Sequence, residues 1–297
     1  MSILQTRWRR IGMSRQSANL LLLLVAMSWG LSYVLLKMGA TKLPPFEVLA
    51  LRFTFASIAC IAVFWRRLLH TSRRALLYGI ILGTLMFACS TAIIFGELTT
   101  EASTASFLTS AAIVFVPVMQ AIRKRRLPER PVIFGTLCAT IGIAMLSLKG
   151  SLVISAGASL CILSALLYAS HTIITSDMVR QEDAFLLGVI QQLTMAGWGW
   201  STTFAFSTPM LPQNAHVWLI LAALGLLCGA IPFVVQPFAQ SFTTPEHTAL
   251  ILSMEPVFGA LFAVLMLSES MSGQAICGAV LVLASVLLTT YRRPKHK

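Results

Sequence analysis

Residues 250–270 read LILSMEPVFGALFAVLMLSES, and within this apolar run a carboxylate, Glu255, stands beside a proline, Pro256. A core helix of a soluble domain rarely accepts both. In a bilayer the pair is permitted, because neighbouring helices, Ser/Thr side chains and water re-satisfy the carbonyl that proline frees, while a charge in hydrocarbon is costly and usually functional. Composition decides for the bilayer. Of the 297 residues 57% are hydrophobic and 11% charged, and the mean hydropathy is +0.83. That is more apolar surface than a soluble domain of this length can bury.

A net charge of +12 raises nucleic acid as a partner. The basic residues, however, sit in short clusters between apolar runs, as cytoplasmic membrane loops do, and no folded basic face is left to carry nucleic-acid binding. Cys60, Cys89, Cys138, Cys161, Cys228 and Cys277 fall inside apolar runs without a CxxC spacing and read as small core residues. The 13 methionines read as gap fillers rather than a metal path. No GxxxxGK[ST], HExxH or GxSxG is present, so neither cofactor nor enzymatic chemistry is expected. An integral-membrane transferase, the rival from the enzyme class, needs clustered His/Asp/Glu at a membrane face, and the five histidines are scattered.

Spans of membrane-crossing length fall at 18–38, 45–65, 75–97, 102–122, 131–149, 153–175, 184–206, 216–240, 246–267 and 271–291. The first follows Arg7, Arg9, Arg10 and Arg15 as a signal peptide would, but no A-x-A cleavage pattern follows it and its length suits a retained helix. Even-numbered gaps and the two tails hold 18 of the 22 basic residues, among them Arg66, Arg67, Arg73, Arg74, the cluster Arg123 to Arg126, Arg130, Arg180 and the C-terminal group Arg292, Arg293, Lys295 and Lys297. The odd-numbered gaps hold Lys42 and Lys149. By the positive-inside rule both termini face the cytoplasm.

The two halves also match each other. LTTEASTASFLTSAAIVF at 98–115 lies without a gap over FTTPEHTALILSMEPVFG at 242–259, with Thr99, Thr100, Thr104, Ala105 and Leu108 repeated as Thr243, Thr244, Thr248, Ala249 and Leu252. Ile133 and Gly135 fall on Ile276 and Gly278, WGLSYV at 29–34 lies over YASHTI at 168–173, and Phe46 lies on Phe185. A duplicated five-helix unit follows, 1–149 with a basic tail at 1–17, and 150–297 with a basic tail at 292–297. Because five is odd, the second copy enters the membrane from the opposite side. The expected fold is therefore an all-α integral membrane protein of ten transmembrane helices in two inverted repeats. Inverted repeats characterise secondary transporters, whose substrate site lies near the midplane at the repeat interface. A non-transporting scaffold built from the same repeat is the alternative.

The residues WGLSYVLLK, FLTSAAIVFVPV, RKRRLPER and SMEPVFGALFAVLMLSESMSGQAICGAVLVLASVLL together resemble the EamA-type branch of the drug/metabolite transporter superfamily along nearly the whole chain. The most specific part of the likeness is Glu255, Pro256 and Val257 followed by Glu269. The resemblance implies a ten-helix inner-membrane carrier, most often an exporter of amino acids, other metabolites or toxic small organic compounds. Two departures stand out: Ala111 and Ala112 replace a Glu-Pro pair in the fourth helix, and Tyr168 stands where the family frequently has Trp.

Helical spacing sorts the intramembrane polar residues by face. Ser28, Trp29, Ser32, Tyr33 and Lys37 form one stripe; Tyr168, His171, Thr172 and Thr175 a second; Gln236 and Gln240 a third; Thr248, Glu255 and Gly259 a fourth. Trp29 is read as cavity-lining rather than interfacial, since it lies about 16 Å into its helix at ~1.5 Å per residue. A bare carboxylate at Glu255 costs roughly 2.5–3.5 kcal/mol on insertion scales, so it is protonated, paired or wet, and Arg52 is its expected partner. Arg52 is equally compatible with a static ion pair or a carbonyl contact, and His171 with simple hydrogen bonding. Gln191 and Gln192 lie at the positions aligned with Arg52 and Phe53. The candidate substrate-binding set is Trp29, Ser32, Tyr33, Arg52, Tyr168, His171, Gln191, Gln192, Gln236 and Glu255. Its partners are a small-molecule substrate, the bilayer and protons as a candidate coupling ion, with monomer or homodimer left open. Gly225 with Gly229, and Gly135, Gly142, Gly273 and Gly278, are expected at close helix contacts.

Overall fold

The computed structural model describes residues 13–39, 43–100, 102–147 and 156–291. Arg7, Arg9, Arg10, Lys42, Lys149, the basic C-terminal tail and the expected boundary at 149–150 lie outside the described residues. Within them the chain is all helical: α1 (Arg15–Gly39), α2 (Pro45–Leu68), α3 (Arg73–Thr99), α4 (Ala102–Thr109), α5 (Ala112–Lys124), α6 (Arg130–Ser147), α7 (Ala156–Met178), α8 (Ala184–Phe206), α9 (Ala215–Gly225), a π turn at Leu226–Ala230, α10 (Ile231–Gln240), α11 (Pro245–Leu252), α12 (Glu255–Leu267) and α13 (Gly273–Tyr291).

Counting α4 with α5, α9 with α10 and α11 with α12 as single spans, eight helices are long and apolar enough to cross a bilayer, and α13 adds a shorter apolar stretch, Gly273–Thr289. α8 is 23 residues long but is not among the eight. Its centre carries Gln191 and Gln192 and its second half is rich in Gly, Trp, Ser and Thr. The chain is thus a multi-pass helical membrane protein.

Local chemistry sets several helix ends. Ser72 caps α3 by accepting from the Ala75 amide at 2.9 Å. Asp183 caps α8 through the amides of Phe185 and Leu186, and Thr244 caps α11 through the His247 amide. Proline opens α2 and α11, where its missing N–H costs nothing.

The spans expected at 102–122 and 246–267 are each broken rather than continuous. The breaks fall at Ser110–Ala111 and Ser253–Met254, one residue from register with the sequence alignment. Pro256 explains the second, because it cannot donate to the carbonyl of Leu252. The first has no proline at the break; there Thr109 and Ser110 turn their hydroxyls back onto the carbonyls of Ala105 and Ser106, a bonding that bends helices. Both broken spans end alike, with left-handed caps at Arg125 (φ 50°) and Ser268 (φ 55°).

The most extensive packing runs between the two halves of the chain: α6 on α13, α2 on α8, α3 on α7 and α8, and α1 on α12. The pattern is reciprocal. α3 on α7 has its counterpart in α10 on α1, α3 on α8 in α9 on α2, and α1 on α12 in α7 on α5. Small residues permit the closest of these contacts. A Cβ on Gly278 would stand 2.5 Å from the Gly142 carbonyl oxygen, and one on Gly225 would stand 2.5 Å from the Arg52 carbonyl oxygen. Gly273, expected at such a contact, has nothing within 4 Å of its Cβ position.

Ion pairs gather the helix ends. Arg67 with Asp183, Arg123 with Asp177 and Lys124 with Glu246 draw the basic segments together at one end of the bundle. Lys37 with Glu269 joins the other.

Candidate functional site

A cavity of about 170 Å³ opens between α1, α2, α3, α7, α10 and the two broken spans. At ~30 Å³ per water in the liquid this is room for roughly half a dozen water molecules, which suits a small solute. It collects six of the ten candidate residues: Trp29, Ser32, Tyr33, Arg52, Tyr168 and Glu255. They come from the parts of α1 and α2 farther from the basic end, from the middle of α7 and from the break before α12.

An aromatic wall forms because Trp29 lies edge-on to Tyr168 at 5.9 Å between centroids and tilted against Phe233 at 5.4 Å. Phe233 follows the π turn, an irregularity common at functional sites. Pro232, just after the turn, has no N–H to return to the turn's carbonyls, and the Leu227 carbonyl within the turn accepts the Ser28 hydroxyl of α1.

Glu255 occupies the first turn of α12, where the helix dipole favours a negative charge. Its Oε1 accepts the Tyr33 hydroxyl at 2.9 Å. The expected pairing with Arg52 is not made: among the described residues no ion pair joins them. Arg52 is on α2, which packs on α8 and α9, whereas α12 packs on α1, so tyrosine rather than arginine reaches the carboxylate. Arg52 instead lies 5.0 Å from the centroid of the Phe53 ring, and its Nε has no partner. A second carboxylate, Glu97, lines the same cavity. Glu97 is the last residue of the span expected at 75–97 and is not among the ten candidates. The signal that finds it is the inward stripe of α3, Met86, Ser90, Ile93 and Glu97 at helical spacing.

The other four candidates are elsewhere. His171, Gln191, Gln192 and Gln236 are each fully buried nearer the basic end, as are Gln240 and Thr175; His171, Gln191 and Gln236 gather about Tyr168 as a polar cluster, and Gln192, next to Gln191 in the chain, lies at its edge beside Gly229 and Ser57. His171 Nε2 and Gln191 Oε1 are 2.8 Å apart. Gln236 donates to the Tyr168 hydroxyl at 3.4 Å, so Tyr168 belongs to both cavity and cluster. Several polar atoms here have no hydrogen-bond partner among the described residues: His171 Nδ1, Thr175 Oγ1, Gln191 Nε2, both amide atoms of Gln192, Gln236 Oε1 and Gln240 Oε1. Neither region offers a metal site, since no group of three or more His, Cys, Asp or Glu is gathered among the described residues.

The profile of the EamA-like transporter family matches residues 16–148 and again 155–291. Two proteins of Archaeoglobus fulgidus described as "Uncharacterized transporter" are each 28% identical, one over 93% of this chain and 98% of its own length, the other over 95% and 88%. A "Probable amino-acid metabolite efflux pump" of Salmonella typhimurium is 25% identical over 94% of this chain and 96% of its own. One solved crystal structure, 17% identical, superposes with a TM-score of 0.80 over 93% of this chain and 96% of its own, a likeness of fold.

Proposed function

The chain belongs to the EamA-like transporter family, a transporter rather than an enzyme, and on that premise we propose that it exports a small zwitterionic solute of the amino-acid type from the cytoplasm by alternating access. The observation that carries this reading is the charge arrangement of the cavity. An Arg52 guanidinium without an ion partner among the described residues and two carboxylates, Glu97 and Glu255, line one small space beside an aromatic wall. A carboxylate on the solute complements Arg52, its ammonium complements Glu255 and Glu97, and its apolar part packs on Trp29, Tyr168 and Phe233. The efflux assignment of the Salmonella relative supports the direction and the class.

The proposed architecture is ten crossings of the inner membrane in two inverted repeats, 1–149 and 150–297, with both termini cytoplasmic. The basic-end ion pairs, the distribution of Lys and Arg and the reciprocal packing of the halves support it. In this arrangement the polar cluster is the cytoplasmic half of the path in its closed state, and His171, Gln191, Gln192 and Gln236 meet the solute when that half opens. Buried polar groups left without a partner cost about 1–3 kcal/mol each, a cost that opening to cytoplasmic water relieves. Protons are the proposed coupling ion, with Glu255 the group that exchanges them for the solute ammonium.

Counterflow in proteoliposomes tests the reading. Vesicles preloaded with a mixture of amino acids should accumulate a labelled amino acid, and neither the decarboxylated amine nor the deaminated acid should compete. Competition by the amine as strong as by the parent amino acid would remove Arg52 from the site.

A further inference from the structure

A second cavity, about 680 Å³, lies at the basic end between the start of α1, the end of α5, the loop and start of α6, the start of α11 and the end of α13. Its lining is amphipathic. Arg15, Lys124 and Arg126 supply positive charge, while Leu127, Pro131 and Val132 supply apolar surface. Two carboxylates also line it. Glu246 is joined to Lys124 at 3.1 Å, leaving Arg15 and Arg126 without a carboxylate partner among the described residues, and Glu129 and His247 also line the cavity. Gln120, 3% exposed, lines the cavity with its side-chain carbonyl unbonded.

Two guanidinium groups with no carboxylate partner among the described residues call for an anion, and an orphan carbonyl and a carboxylate lining the same cavity call for a hydroxyl or ammonium donor on the same ligand. The apolar rim calls for an ester or acyl stem attached to it. Sequence adds to the attraction, because Arg7, Arg9 and Arg10 precede Arg15 and Arg292, Arg293, Lys295 and Lys297 follow Thr289, another lining residue. Clustered basic residues at the cytoplasmic face of membrane helices draw anionic headgroups. We propose that this cavity binds the headgroup of an anionic phospholipid, its phosphate on Arg15 and Arg126 and its polar substituent on Gln120 and Glu129. The bound lipid joins α1, α5, α6, α11 and α13 at one end, a role independent of what the central cavity carries.

Native mass spectrometry of the full-length protein in detergent, titrated with phosphatidylglycerol, phosphatidylcholine or inorganic phosphate, tests this. The wild type should hold one phosphatidylglycerol in preference to phosphatidylcholine. Arg15→Gln with Arg126→Gln should weaken that adduct by about tenfold or more, as expected for two lost cations at a headgroup. Arg66→Gln with Arg180→Gln removes the same charge from the same end outside the cavity and should leave it unchanged. Equal binding of phosphatidylcholine, or an equal loss in the second pair, would overturn the site. Saturation by inorganic phosphate with no lipid preference would overturn the lipid.

Discussion

The central cavity and the buried polar cluster are built from aligned positions of the two halves. Trp29, Ser32, Tyr33 and Arg52 on α1 and α2 correspond to Tyr168, His171, Thr172 and Gln191 on α7 and α8. One set lines an open space; most of the other is packed shut. They also differ in charge, since Arg52, Glu97 and Glu255 face the cavity while the cluster is made of amides, hydroxyls and one imidazole. Duplication therefore preserved the positions that face inward and let their chemistry diverge. On the proposed transport reading, the charged cavity, which draws Arg52 and Glu97 from one repeat and Glu255 from the other, holds the solute, and the neutral polar region lets it pass without trapping it.

The largest expected effect removes the charge that most separates the two regions. Glu255→Gln is nearly isosteric, and because Arg52 is not its ion partner the change strands no opposite charge. Folding should be retained, with a melting temperature close to wild type. Counterflow should fall by about 10- to 100-fold, the equivalent of one lost charge-assisted bond of ~1.5–3 kcal/mol. A melting temperature lowered in step with transport would mean that Glu255 is structural and that the asymmetry between the regions is not a working one.

A smaller effect of mixed sign is expected in the cluster. Both amide atoms of Gln192 are buried without a partner, so Gln192→Leu replaces an unsatisfied group by an apolar one of similar size. Stability should rise by about 1 kcal/mol, seen as a higher melting temperature, while transport falls two- to threefold because the closed half opens less readily. A lower melting temperature would show that Gln192 holds the cluster together.

Membrane class, helix positions and the duplicated unit were legible in the sequence because each rests on local pattern: hydropathy, charge clusters and the Thr-Thr registers at 99–100 and 243–244. The break at Ser110–Ala111 was not, since Ser and Thr bend a helix only when their hydroxyls turn back on it, and nothing in the sequence says that they do. Arg52 was singled out by its charge inside a span, Gln191 and Gln192 by the repeat alignment, and the other seven candidates by helical spacing. Spacing says nothing of depth, so it did not separate the six at the cavity from the four in the cluster. Glu97 was hidden by standing where a span ends, and the Arg52–Glu255 pairing failed because neighbour relations between helices, not spacing within them, decide which side chains meet.

The smallest effect concerns how firmly each end of the bundle is tied. Among the described residues the end beyond the cavity has one ion pair, Lys37 with Glu269, whose side chains are 66% and 45% exposed. Exposed pairs of this kind contribute about 0–1 kcal/mol and are screened by salt. Glu269→Gln should shift the melting temperature by no more than a degree or two (roughly 0.5 kcal/mol), with the shift vanishing at high salt and counterflow within twofold of wild type. Asp183 at the basic end is different in kind, because its carboxylate caps α8 through two backbone amides besides facing Arg67 at 3.4 Å. Losing a cap costs about 0.5–2 kcal/mol whatever the salt, so Asp183→Ala should lower the melting temperature more than Glu269→Gln and keep most of that loss at high salt. If the two variants melt alike and respond alike to salt, the basic end is no more firmly closed than the other, and its ion pairs and cap do not hold the polar cluster shut.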